Sequence, residues 1–187
     1  MVGLHDDPIA LVPSRHGEWR ESFEAERERL VSVLQDRSLD DRLVRLEHVG
    51  STAVPDLAAK DIVDVDLVVG DGAVGEVASA VVDDLGGTRY ENSDEWNPVA
   101  REHDGQRFNV HVFAESGEKW RVSVVTRDVL RARDDLREEY EELKRDLATG
   151  TDDLEEYSMG KTEFVERVLR VARDGEEFQF EFAVPGA

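Results

Sequence analysis

Residues 47–69 read EHVGSTAVPDLAAKDIVDVDLVV, and this stretch decides the fold. Its second half, Asp61 to Val69, is β-branched and apolar, with acids at alternate places, so it is predicted to be a central strand. Because side chains alternate across a strand, Asp64 and Asp66 leave one face while Val63, Val65 and Leu67 leave the other. Like charges this close in a low dielectric oppose one another unless a cation or base compensates. A hard ion such as Mg²⁺ is compensated by one or two carboxylates and completes its shell with water and substrate phosphates. The first half supplies the complement. Arg42 to Val49 reads as a strand that runs into Gly50-Ser51-Thr52, and Pro55 closes the segment. Glycine lets the backbone approach a phosphate, and the following amides and the Ser51 hydroxyl donate to its oxygens. The linker from Ser51 to Asp64 is long enough for one helical turn and a return to the neighbouring strand, so both halves can face one pocket. The plainer alternative is a solvated sheet face beside an ordinary turn.

Working outward, Ile9 to Val12 is predicted as an edge strand ended by Pro13, and Trp19, Phe23, Leu30 and Leu34 mark an amphipathic helix over 18–35. Ala73 to Leu85 has helical spacing with Gly86-Gly87 as its stop, and Thr88 to Tyr90 reads as a short strand. Asn92 to Gly105 is polar, contains Pro98 and is predicted as a surface loop. Phe108 to Phe113 alternates as a strand. From Lys119 the pattern turns helical in three segments, and residues 174–187, with Phe178, Phe180 and Phe182 at alternate positions, suggest a last edge strand. The predicted fold class is α/β (α+β), a mixed sheet flanked by helices with a helical C-terminal part.

Composition narrows the classes of function. The chain has 187 residues, with 44 Asp and Glu against 23 Lys and Arg, a net charge of -21. Such a surface repels nucleic-acid backbones, so broad nucleic-acid binding is not expected. No apolar run approaches the roughly 20 residues that cross a bilayer, and Met1 to Pro8 has no secretory pattern, so the expected location is cytoplasmic. With no cysteine there is no disulfide or thiolate chemistry. Of the basic residues only four are lysine, at 60, 119, 144 and 161. Carboxylate excess with so little lysine is the pattern of a halophilic, acidic protein whose self-repulsion is screened by salt. The alternative is an acidic docking surface for a cationic partner.

The order helix, strand, Gly-Ser, strand with Asp-apolar-Asp resembles the signature of the nucleotidyltransferase fold, the polymerase-beta-like superfamily, through Val49-Gly50-Ser51 and Asp64-Val65-Asp66-Leu67. More closely, Glu47 to Pro55, Leu57 to Lys60 and Ile62-Val63-Asp64 resemble the core motif of the GrpB family. Further matches fall at Trp19, Phe23, His111, Trp120, Arg127-Asp128, Tyr140, Lys144, Tyr157 and Lys161, from about Leu11 to Ala172. The resemblance implies one GrpB-type domain over 1–173, with a nucleotidyltransferase-like core over about 9–115, a helical part over about 117–173, and a tail at 174–187. It implies that Gly50, Ser51 and Thr52 hold phosphates of a nucleotide or other phosphorylated small molecule, and that Asp64 and Asp66 bind Mg²⁺ for nucleotidyl transfer. Active superfamily members place a third carboxylate on a later strand. Here the matching strand offers Asn109 and His111, with Glu102 and Asp104 nearby, so a two-acid site that only binds is the alternative.

Other candidates follow from position. Lys60 precedes the acidic strand and suits a phosphate as a point charge. Arg127 and Lys161 are candidate cleft cations, with Lys144 ranked below them. His48 is placed to donate to a phosphate, or to join His111 and Asp64 at a transition metal in a hydrolase; a structural histidine is the alternative. Trp19, Phe23 and Trp120 read as core anchors, with base-stacking platforms as the alternative.

Overall fold

The computed structural model describes residues 9–90 and 93–186; Met1 to Pro8, on which the leader reading rests, lie outside them, as do 91, 92 and 187. Helix α1 (His16–Asp36) is followed by strand β1 (Leu43–Val49), a single turn of 3-10 helix (Ser51–Ala53) and strand β2 (Ile62–Val69). Then come α2 (Val74–Leu85), β3 (Thr88–Arg89), β4 (Trp96–His103) and β5 (Gln106–Ala114). Four helices complete the chain, α3 (Lys119–Ala132), α4 (Asp134–Gly150), α5 (Leu154–Met159) and α6 (Thr162–Asp174). The sheet order is β1-β2-β5-β4-β3, and only the β2/β5 pair is parallel, so the sheet is mixed as its sequence pattern predicts.

The alternation along β2 gives each face its role. Val63, Val65, Leu67 and Val69 join Trp19, Phe23, Leu30 and Leu34 of α1 and Val74, Val77 and Val81 of α2 in the main core. On the opposite face Val68 packs with Val49, Phe113 and the α3 residues Trp120 and Val124. Helices α3, α4 and α6 share a second cluster with Val54 and Leu57 of the β1–β2 linker, which ties the helical part to that linker. Trp19, Phe23 and Trp120 are buried core anchors, as expected. None of the described helices is long and apolar enough to cross a membrane.

Four sequence expectations are corrected. Ile9 to Val12 is no strand beyond one antiparallel bridge, Val12 to Ala59, closed by amide hydrogen bonds of 2.8 and 3.1 Å. The predicted loop at 92–105 contains β4, an interior strand between β5 and β3. Proline is tolerated there because its nitrogen lies on the side of its own carbonyl, toward the two-residue β3, where that carbonyl accepts from the Tyr90 amide at 2.8 Å. The alternating phenylalanines after Asp174 form no strand among residues 174–186; Phe178, Phe180 and Phe182 pack irregularly against the helical cluster, with Phe182 edge-on to Trp120 at 4.9 Å. The last helical segment is two helices. Asp153 caps α5 by accepting from the amides of Glu155 (2.7 Å) and Glu156 (3.2 Å), and a Cβ at Gly160 would collide with Leu147 of α4 at the α5–α6 junction.

Candidate functional site

Strand pairing sets the acids in rows. Val49, Asp64, Asn109 and Ala100 lie side by side across β1, β2, β5 and β4, and Glu47, Asp66, His111 and Pro98 form the next row. Asp64 and Asp66 therefore share the face toward α3, as their spacing predicts. His48 pairs with Val65 and so faces the other way. It stacks on Phe23 of α1, with ring centroids 4.9 Å apart, and its Nε2 lies 3.0 Å from the Thr52 hydroxyl. Burial lowers its pKa to about 3, so the ring is neutral. His48 and His111 sit on opposite faces of the sheet, and among the described residues no group of three or more His, Asp and Glu side chains is placed to hold a metal. The three-ligand transition-metal arrangement is thereby corrected.

A cleft of about 210 Å³ opens at the C-terminal end of β1 and is lined by Gly50, Ser51, Thr52, Lys60, Asp64, Asn109 and Lys161. These are seven of the residues predicted for the site. Gly50 has φ 71° and ψ -170°, a conformation reserved for glycine. A Cβ there would overlap Oδ2 of Asp64, so the missing side chain is what lets the turn close over the acid. Asn109 donates from Nδ2 to Oδ1 of Asp64 at 3.1 Å, and His111 Nε2 lies 3.9 Å from the same oxygen. Trp96 donates its indole N–H to His111 Nδ1 at 3.2 Å, which leaves Nε2 as the protonated nitrogen facing Asp64.

Asp66 lies deeper. It is 1% exposed, and neither carboxylate oxygen has a hydrogen-bond partner within the protein. Burial, with Asp64 adding to it, pushes its pKa up to about 7. Buried carboxylates are otherwise rare here: among the described acids only Glu26 and Asp66 are buried. The two orphaned oxygens beside Asp64 are the donor set a divalent ion takes from a pair of carboxylates, so the residues present fit such an ion.

Two side chains fall differently from their sequence reading. Arg127 does not line the cleft. Its guanidinium donates to Glu47 (2.8 Å), to the His48 carbonyl (2.9 Å) and to Asp128 (2.7 Å), bracing β1 against α3. Lys144, ranked below the other basic candidates, is fully built into the site. It is 2% exposed and donates to the Ser51 hydroxyl at 3.1 Å and to the Ala58 carbonyl, spanning both ends of the linker. Its burial lowers its pKa to about 7, and burial with the neighbouring Lys60 lowers Lys161 to about 8. Leu11, Ala59, Ile62, Tyr140, Tyr157 and Ser158 complete the cleft wall and were not singled out as ligand contacts by sequence. The signal that finds the two tyrosines is the repeated Tyr-x-x-x-Lys spacing at 140–144 and 157–161. Glu102 and Asp104 are exposed at the β4–β5 hairpin, where Glu102 pairs with Arg107, away from the Asp64 and Asp66 rows.

A family model described as GrpB protein matches residues 8–171. The chain belongs to the GrpB family. A GrpB relative, a UPF0157 protein of Deinococcus radiodurans, is 32% identical over 167 residues, spanning 88% of this chain and 82% of that one. The glutamate-rich protein GrpB of Alkalihalophilus pseudofirmus is 25% identical over 185 residues, 90% of this chain and 98% of the relative. The crystal structure of the conserved protein GrpB from Enterococcus faecalis superposes with a TM-score of 0.71 at 22% identity, covering 85% of this chain and 94% of that one. That likeness shows a shared fold over most of both chains.

Proposed function

We propose that the GrpB cleft binds a nucleotide or another phosphorylated small molecule at the Gly50-Ser51 turn, with Mg²⁺ held by Asp64 and Asp66. The observation that carries this reading is electrostatic. In a chain of net charge -21 with four lysines, Lys60 and Lys161 line one cleft and Lys144 donates to its Ser51. The cations meet the Gly-Ser turn on one side and Asp64, with Asp66 buried behind it, on the other, which is the division of labour that a phosphate with a divalent ion requires. In this reading Lys161 and Lys60 neutralise phosphate oxygens, Ser51 donates to them, and Lys144 fixes the Ser51 hydroxyl. The bound ion supplies charge neutralisation on the phosphate. The reaction such a set suits is transfer of a nucleotidyl group with pyrophosphate leaving.

A second reading rests on β5. The positions beside Asp64 and Asp66 are Asn109 and His111, and Asn109 already donates to Asp64. A protein that binds the nucleotide and leaves it intact fits this donor-rich row. One experiment separates the readings. In concentrated KCl with Mg²⁺ and each nucleoside triphosphate at about a hundred times its dissociation constant, binding adds about 2.7 kcal/mol, a melting-temperature rise of several degrees. Asp64→Asn is expected to lose that rise. Pyrophosphate release by the wild type and not by the variant identifies a transferase, a rise without release identifies the binding module, and no rise with any nucleotide refutes both.

A further inference from the structure

The lysines and tyrosines of the cleft are arranged in two like units. Tyr140 precedes Lys144 and Tyr157 precedes Lys161 by four positions. The Lys161 ammonium lies 4.3 Å from the Tyr157 ring centroid, and that of Lys144 lies 5.1 Å from the Tyr140 ring centroid. Phe164 also stacks on Tyr140, with ring centroids 4.9 Å apart. Tyr140 and Tyr157 are 9% and 3% exposed as whole residues, so they line the cleft without offering it an open ring face on which a base can lie. Trp19 and Trp120 are buried in the cores, and the Trp96 ring lies under the Lys119 ammonium at 3.9 Å. Two groups able to read a base edge are similarly committed. Asn109 donates to Asp64, and the Thr52 hydroxyl is bonded to His48.

We infer that, among the described residues, the cleft recognises a phosphate chain and not a nucleobase: the two tyrosines seat ammonium groups by cation–π attraction, and the base of any bound nucleotide projects beyond the cleft. This rests on the reading of the site as a phosphate pocket and narrows its ligand class to base-indifferent polyphosphates. A base stacked on an aromatic ring would change affinity by about fivefold to more than a hundredfold. A ring that orients a lysine acts on the phosphate alone.

The test is a calorimetric titration of the wild type in KCl and Mg²⁺ with inorganic tripolyphosphate, ATP, GTP, CTP and UTP. All five are expected to bind within about threefold of one another, below the smallest stacking effect. Tyr157→Leu is expected to weaken tripolyphosphate and ATP by the same factor, and Tyr157→Phe, which keeps the ring, to weaken neither. A preference above tenfold for one base, nucleotide binding without tripolyphosphate binding, or a Tyr157→Leu loss confined to nucleotides overturns the inference and leaves the phosphate-site reading standing. If none of the five probes binds, the phosphate-site reading itself fails.

Discussion

Gly50→Ala is expected to lower stability by about 2–6 kcal/mol and to remove ligand binding. Two independent costs add. The backbone at φ 71° and ψ -170° is nearly closed to residues with a Cβ, at about 1–3 kcal/mol. The new methyl would also lie within 3.1 Å of the Asp64 carboxyl carbon and overlap its Oδ2, an overpacking cost of about 1–3 kcal/mol. Relief requires moving either the turn or the acid. At about 2–4 °C per kcal/mol for a chain of this size, the melting temperature should fall by about 4–24 °C. Thermal melting with and without Mg²⁺ and ATP checks both parts. An alanine variant that melts within 2 °C of the wild type and keeps its nucleotide response would show that the close approach of Gly50 to Asp64 is incidental.

The second large effect lies far from the cleft. Glu26 on α1 is fully buried and holds the Arg101 guanidinium of β4, itself 2% exposed at its side chain; Arg29 donates to the same carboxylate at 2.8 Å. Arg101 also donates to the Leu85 carbonyl at 3.1 Å, so one arginine joins α1, α2 and β4. Glu26→Ala strands a buried cation, a loss of about 3–5 kcal/mol, whereas replacing both partners by apolar residues of similar size is often neutral. Chemical denaturation in matched KCl is therefore expected to show a large loss for Glu26→Ala and recovery of most of it in Glu26→Leu/Arg101→Met. Equal losses in the single and double variants would show that the ion pair contributes little and that shape at these positions dominates.

The same pair explains what was and was not legible in the sequence. Strand β2 announces itself because its core face is wholly apolar and its acids fall on the other parity. Strand β4 does not, because Asn97 and Arg101 face the core side beside Val99 and are held by partners on other elements, Glu26 of α1 for Arg101 and Arg89 of β3 for Asn97. Polar residues on a core face read as a loop until those partners are known. Lys144 is hidden in the same way: its contacts, Ser51 and Ala58, lie 93 and 86 positions away. Arg127 misleads in the opposite sense, since its carboxylate neighbour Asp128 and the Glu47 of the motif itself engage its guanidinium. The tail misleads because alternation marks one-sided burial, and Phe178, Phe180 and Phe182 meet that condition against helices without a strand partner. The Gly50, Ser51 and Asp64 cluster was readable because both halves are local motifs, and the antiparallel pairing of Val49 with Asp64 brings their ends together.

The central claim, a phosphate site with a divalent ion on Asp64 and Asp66, is tested most directly by crystals grown with Mn²⁺ and a non-hydrolysable nucleoside triphosphate. The anomalous signal of manganese is expected between the two carboxylates, with the triphosphate against Ser51 and Lys161. Manganese elsewhere with the Asp66 oxygens still unligated, or a nucleotide lying outside the cleft, would contradict the account.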